Sequence, residues 1–261
     1  MATKGGSGPK APNRKAPPNA PNLKAFYALL ALVAVVGIGW ISWSVVNRGG
    51  GAATDPIVLT GMENAQALLE RAQGVKAGNP EATAQVIVFS DFTCPACGRF
   101  TQFIEPQMKT EFVDRGLIDF TYYDYPLGPE GVHRWGFIAA RAARCARDQG
   151  TFWEYHDLLF GRQPEWSYDV RRPPVDRFIE YSRLLALDAD AFRDCLESDR
   201  HADVVTANRM LGDQLGVRGT PTLFIGGRSI ENWSDWNAVR AAIQGQLGPM
   251  PVPADTAADG N

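Results

Sequence analysis

Gln85-Val86-Ile87-Val88-Phe89-Ser90-Asp91-Phe92-Thr93-Cys94-Pro95-Ala96-Cys97-Gly98 is the stretch on which the fold turns. Its first six residues are a short apolar, β-branched run and predict a buried strand. The residues after Cys94 predict a helix to about Val113, with Phe100, Phe103, Ile104 and Phe112 spaced for one buried face and Pro106 kinking it. Pro95 suits the first helical turn, where a missing N–H costs nothing. Cys94 is thereby placed at a helix N-terminus, where unpaired N–H groups and the helix dipole favour an anion. A thiol in that position has a lowered pKa, and the thiolate is the reactive form. Cys97, one turn further on, is expected to be more buried and aimed at a mixed disulfide on Cys94.

A Cys-x-x-Cys pair is also half of a zinc site. The other half is a second close pair of Cys or His ligands. Beyond the motif the chain offers Cys145, Cys195, His133, His156 and His201, none at ligand spacing, so no metal and no cofactor are expected. Between a strand and a helix the motif reads instead as a redox pair.

Upstream, residues 1–24 carry five prolines and five basic residues (Lys4, Lys10, Arg14, Lys15, Lys24) and no acid, the composition of a disordered tail. Residues 25–46 contain no charge. As a helix they span ~33 Å, enough for the hydrocarbon core of a bilayer. Tyr27, Trp40 and Trp43 suit the interfacial belts, and the basic flank places the tail in the cytoplasm. An uncleaved single-pass anchor with everything after residue 47 outside the cytoplasm is expected. A signal peptide cut near Gly51-Ala52-Ala53 is the alternative. Residues 47–83 read as a flexible linker, then a short strand at Ile57-Val58-Leu59 and a helix over Ala65–Gln73. Without the six basic residues of the first 48 positions, 20 basic residues face 29 acidic ones. So acidic a domain is a poor partner for nucleic acid.

Downstream, Ile118–Tyr125 alternates as a half-buried strand does, and the short return from the helix predicts a right-handed parallel βαβ unit over residues 84–128. Residues 129–216 read as helical. Trp135, Ile138, Ala142 and Cys145 form one stripe, and Thr151-Phe152-Trp153-Glu154 has the form of a capping box. A loop over Pro164–Pro174 separates these from helices at Val175–Leu185, Ala189–Glu197 and Ala202–Leu215, the last with Val204, Ala207, Leu211 and Leu215 inward. Residues 217–248 return to the α/β pattern. Thr220-Pro221 precedes a strand at Leu223–Ile225, Gly226-Gly227 is a two-residue hairpin turn, and Ser234 is positioned to cap a last helix. Residues 249–261 are Pro/Ala/Asp-rich and read as a frayed tail. In an oxidising compartment the even thiol count suggests a Cys145–Cys195 bridge, worth about 4 kcal/mol for a loop of about 50 residues. Two buried free thiols are the alternative. The aromatic residues Tyr122, Tyr123, Tyr125, Trp135, Phe152 and Trp153 read most simply as core.

Strand, Cys-x-x-Cys at a helix start, strand, then Thr-Pro before a hairpin and a final helix: this order resembles the thioredoxin fold. The separation of 127 residues from Cys94 to Pro221 narrows it. The segments Phe89–Cys97, Gln149–Glu154 and Gly219–Thr222 are similar to those of the DsbA-like thiol–disulfide oxidoreductases, over about residues 84–247. The resemblance implies an α/β thioredoxin-like fold with an inserted all-helical domain, and a cis Thr220-Pro221 bond packed against the redox pair. Cys94 and Cys97 would be the catalytic pair. Pro95, Ala96, Thr220 and Pro221 would form the substrate loop, with the Thr220 backbone pairing to an extended peptide. The chain departs from the pattern at two places. Many relatives carry a carboxylate where this chain has Val88, so Asp91 is the nearest acid, and either a catalytic or a turn role is open to it. Ala96 replaces the histidine of the most oxidising members, which implies a milder oxidant. His133 is a further candidate near a helix start; packing or capping is its other reading.

The function these features imply is disulfide formation in exported, unfolded polypeptides with free thiols. A quinone-linked membrane oxidase would recharge the pair. A monomer is expected, since no added dimerisation domain is visible. A reductase or isomerase using the same site, and an anchored binding module with an inert Cys-x-x-Cys, are the alternatives.

Overall fold

The computed structural model describes residues 27, 32–34, 54–61 and 65–248. The chain divides into two units, residues 1–49 and 50–261. In the first, Tyr27 and residues 32–34 are helical. The rest of the expected 25–46 anchor lies outside the described residues, as do the 1–24 tail and residues 249–261. No described helix is long and apolar enough to cross a membrane.

In the second unit, among the described residues, β1 (Val75–Gly78), β2 (Ala84–Ser90), β3 (Ile118–Asp124), β4 (Thr222–Ile225) and β5 (Arg228–Ile230) form one sheet in the order β1-β3-β2-β4-β5. β2 runs parallel to β3, with Val88 opposite Tyr122, and antiparallel to β4, with Val88 opposite Leu223. Central β2 is covered on both faces, which is why it reads as a near-continuous apolar run. Val86 and Val88 join one core with Phe100, Phe112, Val239 and Ile243. Phe89 points the other way, towards Leu68, Ala72, Ala207, Leu211 and Val217. β3 is buried on both faces as well, not half-buried as its alternation suggests. Its Asp119 is covered yet paired to Lys76 of β1 at 2.7 Å.

The helices are α1 (Ala65–Arg71), α2 (Pro95–Phe103), α3 (Glu105–Met108), α4 (Gly136–Arg147), α5 (Phe152–Gly161), α6 (Gln163–Trp166), α7 (Val175–Leu184), α8 (Ala189–Glu197), α9 (Ala202–Gln214) and α10 (Trp236–Leu247). α2 breaks at Ile104, two residues before Pro106, and continues through α3 into a π turn over Lys109–Val113. A proline lacks the N–H that a straight helix would use there. The buried stripe is Cys97, Phe100 and Ile104. Phe103 falls off it and is 57% exposed, against the expected inward placement. α9 packs against α1 and β3 and so closes the second face of the sheet.

Several local expectations shift. Ile57–Leu59 is not a strand. Ile57 N–H bonds the Thr206 hydroxyl at 3.2 Å and Leu59 packs on the second core. The strand is instead Val75–Gly78, which is only four residues long and has Val75 as its one large apolar residue. Thr151 begins α5 but its hydroxyl donates to Gln149 O, so no capping box forms. The Pro164–Pro174 loop begins inside the short α6. Leu215 lies past the end of α9 and is exposed. Asp235, one residue after Ser234, caps α10 by accepting the Asn237 N–H at 2.9 Å. The hairpin forms on Gly226 and Gly227 at φ 54° and 76°, values that favour glycine.

Between the halves, Cys145 of α4 and Cys195 of α8 are disulfide-bonded, with Cα atoms 5.8 Å apart. Beside them the fully buried Arg141 donates to the carbonyls of Leu196, Ser198 and Arg200. Buried Arg144 pairs with Asp124 at the end of β3, tying the helical block to the sheet. Replacing Cys145 and Cys195 together by alanine is expected to cost about 4 kcal/mol and lower Tm by about 8–16 °C. Melting curves of the oxidised protein check this. The alkylation rate of reduced Cys94 should stay at its wild-type value.

Candidate active site

β2 ends at Ser90, and a tight turn delivers Cys94 to the start of α2. The Cys94 N–H bonds Asp91 O at 3.0 Å, and the Cys94 backbone is extended (φ −75°, ψ 121°), so the residue is the N-cap itself. Pro95 occupies the first helical position. Both thiols are free; Cys94 keeps 6% of its surface and Cys97 none. The Thr220-Pro221 bond is cis. Its loop brings the Thr220 carbonyl to the Cys94 sulfur, which donates to it at 3.3 Å.

The two sulfurs are driven apart electrostatically. The Cys94 thiol is lowered from 9.0 to about 6. The largest cause is the Cys97 thiol, which hydrogen-bonds the Cys94 sulfur. Burial opposes this, while Thr220 and the N–H groups of Cys97 and Ala96 add to it. The Thr220 hydroxyl is buried with no other partner, so it is free to serve the thiolate. The helix N-terminus therefore contributes as expected, but the neighbouring thiol contributes more. Cys97 is pushed well above the usual thiol range, first by burial and then by the proximity of Cys94. The Asp91 N–H is 3.5 Å from the Cys97 sulfur. Ala96 is half-buried and its methyl offers no hydrogen bond.

The Asp91 carboxylate is engaged by the turn and the neighbouring loop. Oδ1 accepts from the Thr93 N–H at 2.8 Å and the Thr93 hydroxyl at 2.7 Å, and Oδ2 accepts from the Leu127 N–H at 2.9 Å. Gly136, at the start of α4, leaves the room this needs, since a Cβ there would lie 2.5 Å from Oδ1. His133 completes the group, with Nδ1 at 3.1 Å from Thr93 Oγ1 and 3.4 Å from Asp91 Oδ2. Its pKa is raised, chiefly by its hydrogen bond to Asp91 and to a smaller degree by the charge on Cys94. Val88 is fully buried in the core beneath α2.

The aromatic cluster divides. Tyr122, Phe152 and Trp153 pack around His156 under Phe92, while Tyr123 stacks on Phe89 and Tyr125 meets it edge-to-face. Trp135 donates to Asp169 O at 2.8 Å, joining the loops beside His133. His201 pairs with Asp148 near the structural bridge. Among the described residues, two groups place metal-ligand atoms close together. One uses both sulfurs of the Cys145–Cys195 bridge. In the other, Glu105, His156 and Asp157, the Lys109 ammonium already lies 2.9 Å from Glu105 and 3.7 Å from Asp157. Gln163, which bonds the carbonyls of the redox turn, carries no periodic or motif signal and is invisible to sequence reasoning.

The arrangement defines a thioredoxin-fold protein with a dithiol redox site. A thioredoxin family profile matches residues 70–245, and the chain belongs to that family. Among curated relatives, the Na(+)/H(+) antiporter NhaA 3 of Salinispora tropica is 35% identical over 166 residues, covering 64% of this chain and 24% of the relative. The chain thus spans about a quarter of the length of that antiporter. Disulfide bond formation protein D of Bacillus subtilis is 24% identical over 172 residues, covering 65% and 75%. The crystal structure of oxidised BdbD from Bacillus subtilis superposes with a TM-score of 0.59 at 21% identity, over 67% of this chain and 96% of that one. The helical insertion is part of that shared fold.

The raised His133 pKa has a definite stability consequence. The contribution is fully present below the unfolded value of about 6.5 and is lost as pH rises through the higher folded value. In the oxidised protein, where Cys94 does not titrate, the stability gap between wild type and His133→Ala should be largest near about pH 6 and shrink by about pH 8. Denaturant unfolding at both pH values measures it.

Proposed function

We propose that the protein is an extracytoplasmic thiol–disulfide oxidoreductase that introduces disulfides into exported polypeptides through Cys94 and Cys97. The observation that carries this reading is the asymmetry of the pair: at neutral pH one sulfur is an anion and its neighbour is a buried thiol. A low-pKa thiolate is a good leaving group, so a disulfide made with it is readily attacked.

In the forward reaction a substrate thiolate attacks Cys94 Sγ of the oxidised pair. The Cys94–Cys97 bond breaks, and Cys97 leaves as a thiolate and takes up a proton. A second substrate thiolate then attacks its own sulfur in the mixed disulfide. Cys94 leaves as a stabilised anion, the substrate keeps the new disulfide, and two electrons remain on the protein dithiol. The Thr220 backbone beside Cys94 is suited to hold the substrate as an extended strand. The name of the Bacillus subtilis relative, a disulfide bond formation protein, supports the oxidising direction.

The location rests on residues 25–46 as an uncleaved anchor behind a basic, cytoplasmic tail, and on the Cys145–Cys195 bridge, since disulfides persist in oxidising compartments. Recharging by a quinone-linked membrane oxidase, and action as a monomer, complete the proposal. A reductase or isomerase would use the same two sulfurs. The potential decides between them.

A Cys94 pKa between the values of about 7 for thioredoxin and about 3.5 for the strongest oxidants places the potential between about −270 and −120 mV. Equilibration with glutathione measures it, and a value at the thioredoxin end favours the reductase. Cys97→Ala should accumulate mixed disulfides on Cys94 in the host, visible as adducts that collapse with dithiothreitol. Absence of adducts argues for an inert module.

A further inference from the structure

The redox turn is held from outside as well as from within. Gln163, in the short α6 of the helical block, is 6% exposed and points its amide at the first residues of the Cys94 helix. Nε2 donates to Phe92 O at 2.7 Å and to Cys94 O at 3.0 Å. Cys94 O also accepts the first helical bond, from the Gly98 N–H at 3.1 Å. One side-chain amide therefore grips the carbonyls on either side of Thr93. It bridges two segments about 70 residues apart in sequence, from the helical insertion to the thioredoxin frame. Gly98 is shaped for this contact, since a Cβ there would lie 3.2 Å from Gln163 Oε1 and 3.7 Å from Nε2.

We propose that Gln163 is a positioning residue for the thiol–disulfide reaction: by fixing the Phe92 and Cys94 carbonyls it sets the start of α2 so that the N–H groups of Ala96 and Cys97 stay aimed at the Cys94 sulfur. The physical reason is that a helix N-terminus stabilises an anion only within its first turn and only when its N–H groups point at the charge. Without the amide the Phe92 carbonyl loses this donor and the Cys94 carbonyl keeps only the Gly98 N–H, so the turn would re-orient or draw in water, and either change moves those N–H groups. The helical block in this account does more than cover the site, because it supplies one of the constraints that define it. The inference rests on the redox reading above.

The test compares iodoacetamide alkylation rates of reduced Cys94 across pH in wild type, Gln163→Leu and Gly98→Ala. Leucine keeps the approximate size of the side chain and removes the donor. Gln163 borders a cleft of about 550 Å³ between α2 and α5–α6, so the replacement is not forced against close-packed atoms. Gly98→Ala keeps Gln163 and favours the helix, but crowds the amide away from the carbonyls. Both are expected to shift the rate profile to higher pH. For Gln163→Leu a rise of about one pKa unit lowers the rate about fivefold near pH 6 and about tenfold well below it, and for Gly98→Ala the loss is smaller. A purely structural role would lower Tm and leave the profile where it was. A folded Gln163→Leu with the wild-type profile overturns the proposal. Should that variant not fold, the Gly98→Ala profile decides on the same criterion. A wild-type profile already centred on an ordinary thiol is a different result, and removes the redox reading itself.

Discussion

A hydrogen bond between two cysteine sulfurs governs this molecule's chemistry. Cys97 donates to Cys94 and lowers it, while burial first and then the nearness of Cys94 keep Cys97 protonated. The arrangement needs Cys97 buried, because only a thiol that resists ionisation remains a donor near neutral pH. It needs Cys94 at a helix N-cap, because the anion must be met by backbone N–H groups. Strand β2 satisfies both by ending at Ser90, so that the turn places Cys94 at the rim and Cys97 one turn inside the core beneath α2. At neutral pH a value of about 6 leaves Cys94 thiolate in roughly tenfold excess over thiol.

The surrounding layers serve that pair. The cis Thr220-Pro221 loop closes over Cys94 from the second half of the sheet. Asp91, Thr93 and His133 lock the turn from the side of α4. Gln163 reaches it from α6. The Cys145–Cys195 bridge and the buried Arg144–Asp124 pair hold the helical block against the sheet. In β2, Val88 is apolar and buried, and the Cys97 sulfur is met by the Asp91 N–H and the side chains of Ser90 and Thr220. Proton uptake at Cys97 in this chain must therefore run without a carboxylate on that strand.

Much of this was legible in the chain. The β2 run, the Cys-x-x-Cys at a helix start, the Thr-Pro before a Gly-Gly hairpin and the stripes of α4 and α8 are signals set by local period and turn chemistry, and the structure forms each of them. What failed did so for non-local reasons. β1 was hidden because it is four residues long with Val75 as its one large apolar residue, and Asp119, the partner of Lys76, is forty-three residues away. Phe103 and Leu215 are apolar but lie off the buried stripe or past a helix end. The dominant role of the Cys97 thiol depends on an inter-sulfur contact that no periodicity encodes, and the Gln163 contact depends on how the insertion docks.

The most direct test of this account is the ultraviolet absorbance of the reduced protein near 240 nm, where thiolates absorb and thiols do not, followed as a function of pH. The account predicts one thiolate appearing with a midpoint at about 6 and the second only well above the ordinary thiol value of 9.0. Two thiolates rising together near that ordinary value would contradict it.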